Sequence, residues 1–472
     1  MSLDWEKVKE IDEKYYLHIG QSNREYHHVP VASTEGRHLI MPDGTRLLDF
    51  RSQLICTNMG QRHPKVQAAI KEALDRFGYV YESYCTDYRS EATQLIMEDI
   101  LGADGWAGRL RFLNTGSEAV EASIILAKLI TNRPNIVKRS FAYHGWTEGA
   151  RYASGIPGVA TGSASDSDPK SIRSSPTEST AGYYTVPAPY CYRCPLGLNY
   201  PTCKTSDGTL GCVKTTEDMV KTIGPESIAA IITEVVFGGG AIHPPEEYTP
   251  QVRKMCKELG ILWIDDEVMC GFGRLGEWFG YQKSDGVTPD IMPFAKGVGS
   301  SALPASGVVV SDEIAKFFDT NRWWTVSTYA AHPVVMAAVV ANLKVMLEEN
   351  APQMAAETGE YFGRQLRQLQ ENHKCVGLVT GSGLLWAAEI VKNRETREPF
   401  VKEDRYFRMA GDVSGNPNMI IAGKCLEKGV LVGDVFPNTL RLGPAFNITR
   451  DEIDYGIGAL DEGLTVVDAM CD

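Results

Sequence analysis

Two short apolar runs in this sequence end in groups that can do chemistry. Ile261-Leu262-Trp263-Ile264 stops at two carboxylates, Asp265 and Asp266. Ile291 to Ala295 stops at an amine, Lys296. A short apolar run closed by a polar residue reads as a buried strand. In an open parallel sheet, ligands sit outside the carboxyl ends of the strands. Asp266 and Lys296 are therefore predicted to point into one site, one strand apart. A lysine amine can form a Schiff base with a carbonyl, and a carboxylate can keep a ring nitrogen protonated.

That pair is the minimum needed to hold pyridoxal phosphate, although strand-end aspartates and lysines are also common structural residues. The stretch around it carries more. Asp266-Glu267-Val268, then Gly271-Phe272-Gly273-Arg274, then Ala295-Lys296-Gly297 resembles the class III aminotransferases, pyridoxal-phosphate enzymes of fold type I. The resemblance runs from about Arg37 to Ile457. A second pattern overlaps it: Gly271 to Gly276 matches G-x-G-x-x-G. A dinucleotide site needs a helix opening at that turn and an acid about 20 residues on. Gly276, Trp278 and Gly280 make a poor helix start, so the nucleotide reading is set aside.

The elements that must position the pair follow from the rest of the chain. Thr115 and Glu118 have capping-box spacing before the apolar run Ile124-Ile125-Leu126. A helix N-terminus offers open N–H groups to an anion, and glycine lets the backbone come close to it. An ordinary capped helix would look the same. The resemblance implies that Gly116 and Ser117 bind the cofactor phosphate. It also implies that Tyr143 stacks on the pyridine ring, with His144, Glu234 and Val268 on the cofactor side. Thr328, in Trp323 to Pro333, matches the threonine that reaches the phosphate of the partner subunit. Arg441, in Thr439 to Pro444, matches an arginine that grips a substrate carboxylate, a task its two-pronged fork suits. Trp146 stands where relatives acting on 4-aminobutyrate carry a carboxylate-binding arginine.

The chain has 472 residues, with 43% hydrophobic and 23% charged, ordinary values for a globular enzyme. Its net charge of -13 disfavours nucleic acid, which wants a basic face, and gives no attraction to anionic lipid. No apolar run reaches the roughly 18 residues a membrane helix requires. The charged start, MSLDWEKVKEIDEKYY, lacks the apolar core of an export signal. Eleven scattered cysteines then predict reduced thiols and a cytoplasmic location. Cys191, Cys194, Cys203 and Cys212 have C-x2-C-x8-C-x8-C spacing, with one knuckle of zinc type but no matching second pair, and no metal is expected.

The expected fold is α/β, a fold type I transferase. Residues 1–60 form an N-terminal arm that joins the small domain. Residues 61–335 form a large domain with a mostly parallel central sheet and an irregular cysteine-containing insertion at about 155–226. Residues 336–472 supply a connecting helix and a small α+β domain. Helices are predicted at Pro64 to Phe77, Arg89 to Leu101, Gln251 to Leu259 and His332 to Glu349, with a surface loop at Ser163 to Thr180.

The expected function is transfer of an amino group from an amine, a β-amino acid or an ω-amino acid to a keto acid, pyruvate slightly ahead of 2-oxoglutarate. The kinetics are expected to be ping-pong, with Lys296 as base and acid and Asp266 holding the ring nitrogen's proton. The resemblance implies a homodimer, or a multiple of one, with shared sites. A racemase or aminomutase on the same fold, and a non-catalytic binding protein organised on the cysteine loop, are the competing readings.

Overall fold

The computed structural model describes residues 4–18, 29–155, 181–401, 416–433 and 438–472. Its centre is a seven-stranded sheet. In spatial order the strands are Ala107–Leu113, Ser306–Ser311, Ile291–Phe294, Leu262–Asp265, Ile228–Thr233, Asn135–Arg139 and Tyr183–Val186. Ser306–Ser311 runs antiparallel to both of its neighbours, and the remaining pairings are parallel. A parallel sheet covered on both faces demands strands that are apolar throughout rather than alternating. Ile228–Thr233 meets that demand, since all six residues are buried. The helix Gly116–Thr131 covers one face with Ala119, Val120, Ile124, Leu126 and Ala127.

Two smaller sheets adjoin it. Ser33–Glu35, His38–Ile40 and Arg46–Asp49 form a meander whose last strand pairs in parallel with Val430–Leu431, so early and late parts of the chain share one sheet. Val376–Ser382, Leu385–Asn393, Glu398–Pro399 and Thr439–Leu442 form the other, all antiparallel. Ala351–Asn372 packs on this last sheet, and Arg450–Asp468 lies beside it, opened by a Thr449/Glu452 capping box. The helix Pro333–Glu348 is apolar on nearly every side and correspondingly buried.

Several boundaries shift from expectation. The predicted helix at Arg89 to Leu101 is an α-helix, Asp87–Gln94, running into a π-helical segment, Leu95–Ile100. The predicted Gln251 helix starts at Tyr248, because Pro250 in the first turn needs no N–H partner. No helix opens at Gly271 to Gly276, which is a run of turns ending in a bend. The Ser163 to Thr180 loop lies outside the described residues.

Candidate active site

Asp266 and Lys296 leave adjacent parallel strands, which pair through Ile264 and Ile291. Lys296 sits at φ +44°, a left-handed conformation that costs a side-chain-bearing residue about 1–3 kcal/mol. Asn342 holds the turn behind it, its Nδ2 donating to the carbonyls of Gly297 and Val298, both at 3.0 Å. Among the described residues no hydrogen bond or ion pair engages the Lys296 amine. Burial first, then the nearby Arg441 charge, pull that amine down to about 8.

Asp266 is the opposite case, a buried carboxyl with its donors in place. Val268 N–H donates to Oδ1 at 3.0 Å, and His144 Nδ1 lies 2.6 Å from Oδ2. An ionised Asp266 requires the imidazole proton on Nδ1. His144 Nε2 is then left buried without a partner among the described residues. His144 is itself held by its backbone N–H on Ser154 Oγ at 2.9 Å.

Glu234 follows the Ile228–Thr233 strand and ties two further segments together. Its Oε1 accepts the Tyr143 N–H at 3.0 Å and its Oε2 the Gly238 N–H at 2.6 Å. Burial pushes its carboxyl up, against the opposing influence of His144 and Arg139. Arg441 reaches the same turn, donating to the carbonyls of Gly238 at 2.8 Å and Gly239 at 3.2 Å.

The first turn of Gly116–Thr131 closes the site from another side. Thr115 caps it by accepting the Glu118 N–H. Glu118 does not return the bond to Thr115; its carboxylate takes the Asn114 backbone and side-chain N–H groups, both at 2.9 Å. The Gly116 and Ser117 N–H groups have no partner inside the helix. A Cβ on Gly116 would stand 2.9 Å from Val268 Cγ1, and one on Gly145, at φ +128°, would run into Ser117. Glycine is what lets the Gly116–Thr131 helix, the Asp266 turn and the Tyr143 loop meet.

The structure thus gathers Gly116, Ser117, Tyr143, His144, Glu234, Asp266, Val268, Lys296 and Arg441. Trp146 and Thr328 lie at the edge. Trp146 is tied by its backbone N–H to Ser117 Oγ at 3.2 Å, but its indole is 77% exposed. Thr328 is exposed; its neighbour Ser327 accepts from Asn114 Nδ2 at 2.8 Å. No sequence pattern marks the turn at Ser52–Ile55, where Ser52, Gln53 and Ile55 all have positive φ. Cys56, next along, stands near the Lys296 amine. Three strained positions within four residues could have been sought only in the backbone. The cysteines Cys191, Cys194, Cys203 and Cys212 do line one cavity, away from this site. Among the described residues no three metal-ligating side chains stand where they could hold an ion. Burial pushes Cys191 up to about 11 and Cys212 up to about 12.

A family model described as aminotransferase class-III matches residues 20–464. This chain belongs to the class III aminotransferases. The aminotransferase is similar to a crystal structure of an S-selective transaminase from an Arthrobacter species: TM-score 0.93, 48% identity, 99% of each chain covered. It is also similar to the taurine:2-oxoglutarate aminotransferase of Bifidobacterium kashiwanohense, solved with pyridoxal phosphate and glutamate: TM-score 0.88, 30% identity, 99% of each chain. Among curated relatives, the taurine–pyruvate aminotransferase of Bilophila wadsworthia is 28% identical over 488 aligned positions, covering 99% of each chain.

The cofactor of this aminotransferase is pyridoxal phosphate, and its substrates are an amine and a keto acid. The residues present fit that group. A free amine, a supported carboxylate and an open helix N-terminus beside two close-packed glycines are the three things it needs.

Proposed function

We propose that this aminotransferase takes an amino group from a primary amine, a β-amino acid or an ω-amino acid and passes it to a keto acid, pyruvate slightly ahead of 2-oxoglutarate. The observation that carries the reading is the unpaired Lys296 amine, pulled down to about 8, in one site with the His144-supported Asp266 and with Arg441. When bound, pyridoxal phosphate supplies the carbonyl that takes the substrate nitrogen and the ring that stores an electron pair.

The chain's own residues supply the rest. Lys296 Nζ would hold the cofactor and, once freed, would take a proton from the substrate carbon and give it to the cofactor carbon. Asp266 keeps the proton on the ring nitrogen, and His144 fixes the orientation of Asp266. Tyr143, set by Glu234, covers the ring face. Gly116 and Ser117 take the phosphate, with Thr328 of the opposite subunit completing the site in a homodimer or a multiple of one. Two half-reactions then share one site, which gives ping-pong kinetics.

Arg441 is the anchor for the keto acid carboxylate. Pyruvate needs one such anchor, and 2-oxoglutarate needs a second cation that a neutral indole at Trp146 does not offer. At a position this exposed, a distal carboxylate without a cation forgoes a pair worth up to about 1 kcal/mol. That lack makes 4-aminobutyrate the weaker donor. All eleven cysteines are free thiols, which supports a reducing compartment, the cytoplasm.

A donor panel against both keto acids tests this. The highest specificity constants are expected for a simple amine, β-amino acid or ω-amino acid other than 4-aminobutyrate, with pyruvate. Amine alone, in stoichiometric amount, should release its carbonyl product before any keto acid is added. A specificity constant for 4-aminobutyrate above that of every simple amine and β-amino acid tested would sink the substrate assignment.

A further inference from the structure

Three acids end the Leu262–Asp265 strand, and alternation separates them. Asp266 turns to His144, while Asp265 and Glu267, two apart, share the other side. Both are 0% exposed. Glu267 Oε1 accepts the Tyr281 N–H at 3.0 Å, and the Gly280 N–H also reaches this carboxylate. Among the described residues, Glu267 Oε2 and both Asp265 oxygens have no N–H or O–H donor. The two carboxyls are within hydrogen-bonding reach of each other.

Two buried carboxylates cannot face each other with both ionised and no donor between them. We propose that Asp265 keeps a proton at neutral pH and donates it to Glu267, and that this acid–carboxylate bond is a positioning element for the Asp266 turn. The proton belongs on Asp265 because Glu267 has the backbone donors that favour a charge and Asp265 has none. Burial pushes both groups up, Glu267 to about 7. The groups facing the pair are few. Asp266 opposes ionisation of Asp265 and Arg139, on Asn135–Arg139, favours it. The Cys270 thiol nearby is itself pushed well up, first by burial and then by Glu267. With the proton in place the three acids carry two charges rather than three, and Glu267 stays bridged to the Tyr281 segment. The positioning half rests on Asp266 serving the cofactor nitrogen; the shared proton does not.

Asp265→Asn keeps a donor toward Glu267 and removes the titrating proton; Asp265→Ala removes both. Infrared difference spectra of the purified enzyme, recorded about one to two pH units above Glu267's value of about 7, should show a protonated-carboxyl band in wild type that is missing in Asp265→Asn. Other buried acids pushed up by burial, Glu234 and Glu389, contribute to both spectra and cancel. A carboxyl raised in the fold makes the native state bind the extra proton, so its share of stability is lost as pH rises above the ordinary carboxylate range. The unfolding temperature of Asp265→Asn relative to wild type should therefore climb with pH. Asp265→Ala should retain cofactor at least about tenfold less well, with Asp265→Asn restoring retention. A band that persists in Asp265→Asn, or unfolding temperatures that stay parallel across pH, overturns the shared proton. Wild-type retention in Asp265→Ala overturns the positioning role. If Asp265→Ala does not fold, retention in Asp265→Asn well below wild type overturns that role instead. The spectral and thermal outcomes hold whether or not the enzyme uses the proposed donors.

Discussion

At the floor of the site Asp266 is 3% exposed and accepts two hydrogen bonds; at the rim Trp146 is 77% exposed and is held by its backbone N–H. The floor is made of strand ends, a helix N-terminus and glycines packed without slack, and every side chain needed to orient Asp266 comes from one chain. The rim is made of loops whose aromatics face outward, with Trp324 83% and Tyr84 69% exposed. Exposed aromatics of this kind fit the proposed dimer, in which a second subunit would cover them. Changes at the floor should therefore alter chemistry, and changes at the rim should alter what is retained or chosen.

The comparison is broken most easily at Lys296. Lys296→Ala should abolish turnover, because among the described residues no other amine is placed beside Asp266; steady-state assays that found wild-type rates would move the chemistry elsewhere. Asp266→Asn keeps the shape and removes the charge. It should still bind cofactor but lose at least about a hundredfold in rate, roughly 2.7 kcal/mol of barrier. A near-normal kcat would mean that the His144–Asp266 contact is only structural.

Rim changes should be milder. Thr328→Ala should weaken cofactor retention by about 1.5–3 kcal/mol, the worth of one hydrogen bond to a charged phosphate, with the unfolding temperature of the protein stripped of cofactor unchanged. Trp146→Arg should raise the specificity constant for 4-aminobutyrate only a few-fold, since a pair this exposed is worth under about 1 kcal/mol. A drop for that substrate would show that the indole, rather than a cation, favours it.

The same contrast governs what the sequence made legible. Strand ends were legible because a buried parallel strand is an apolar run with a sharp stop, and Asp266 and Lys296 are such stops. The helix at Gly116 was legible from its Thr115 cap, but the partner of Glu118 was not: Asn114 competes for the carboxylate with two N–H groups where Thr115 offers one. The His144–Asp266 contact joins residues 122 apart, and no local pattern encodes that. Nor does any pattern reveal that Asp265 and Glu267 lack donors, since that depends on what packs against them. The spacing of the four cysteines offered one zinc-type knuckle and no sign of the cavity they line together with Pro189, Leu198 and Pro245.

The claim that the floor is one chain's and the rim two chains' has a direct test. Lys296→Ala and Thr328→Ala subunits are mixed and the heterodimer isolated. If Thr328 serves the opposite site, one site carries both defects and the other carries neither, so half the sites should show wild-type cofactor affinity and turnover. A heterodimer in which no site has both would place Thr328 in its own chain's site and contradict the account.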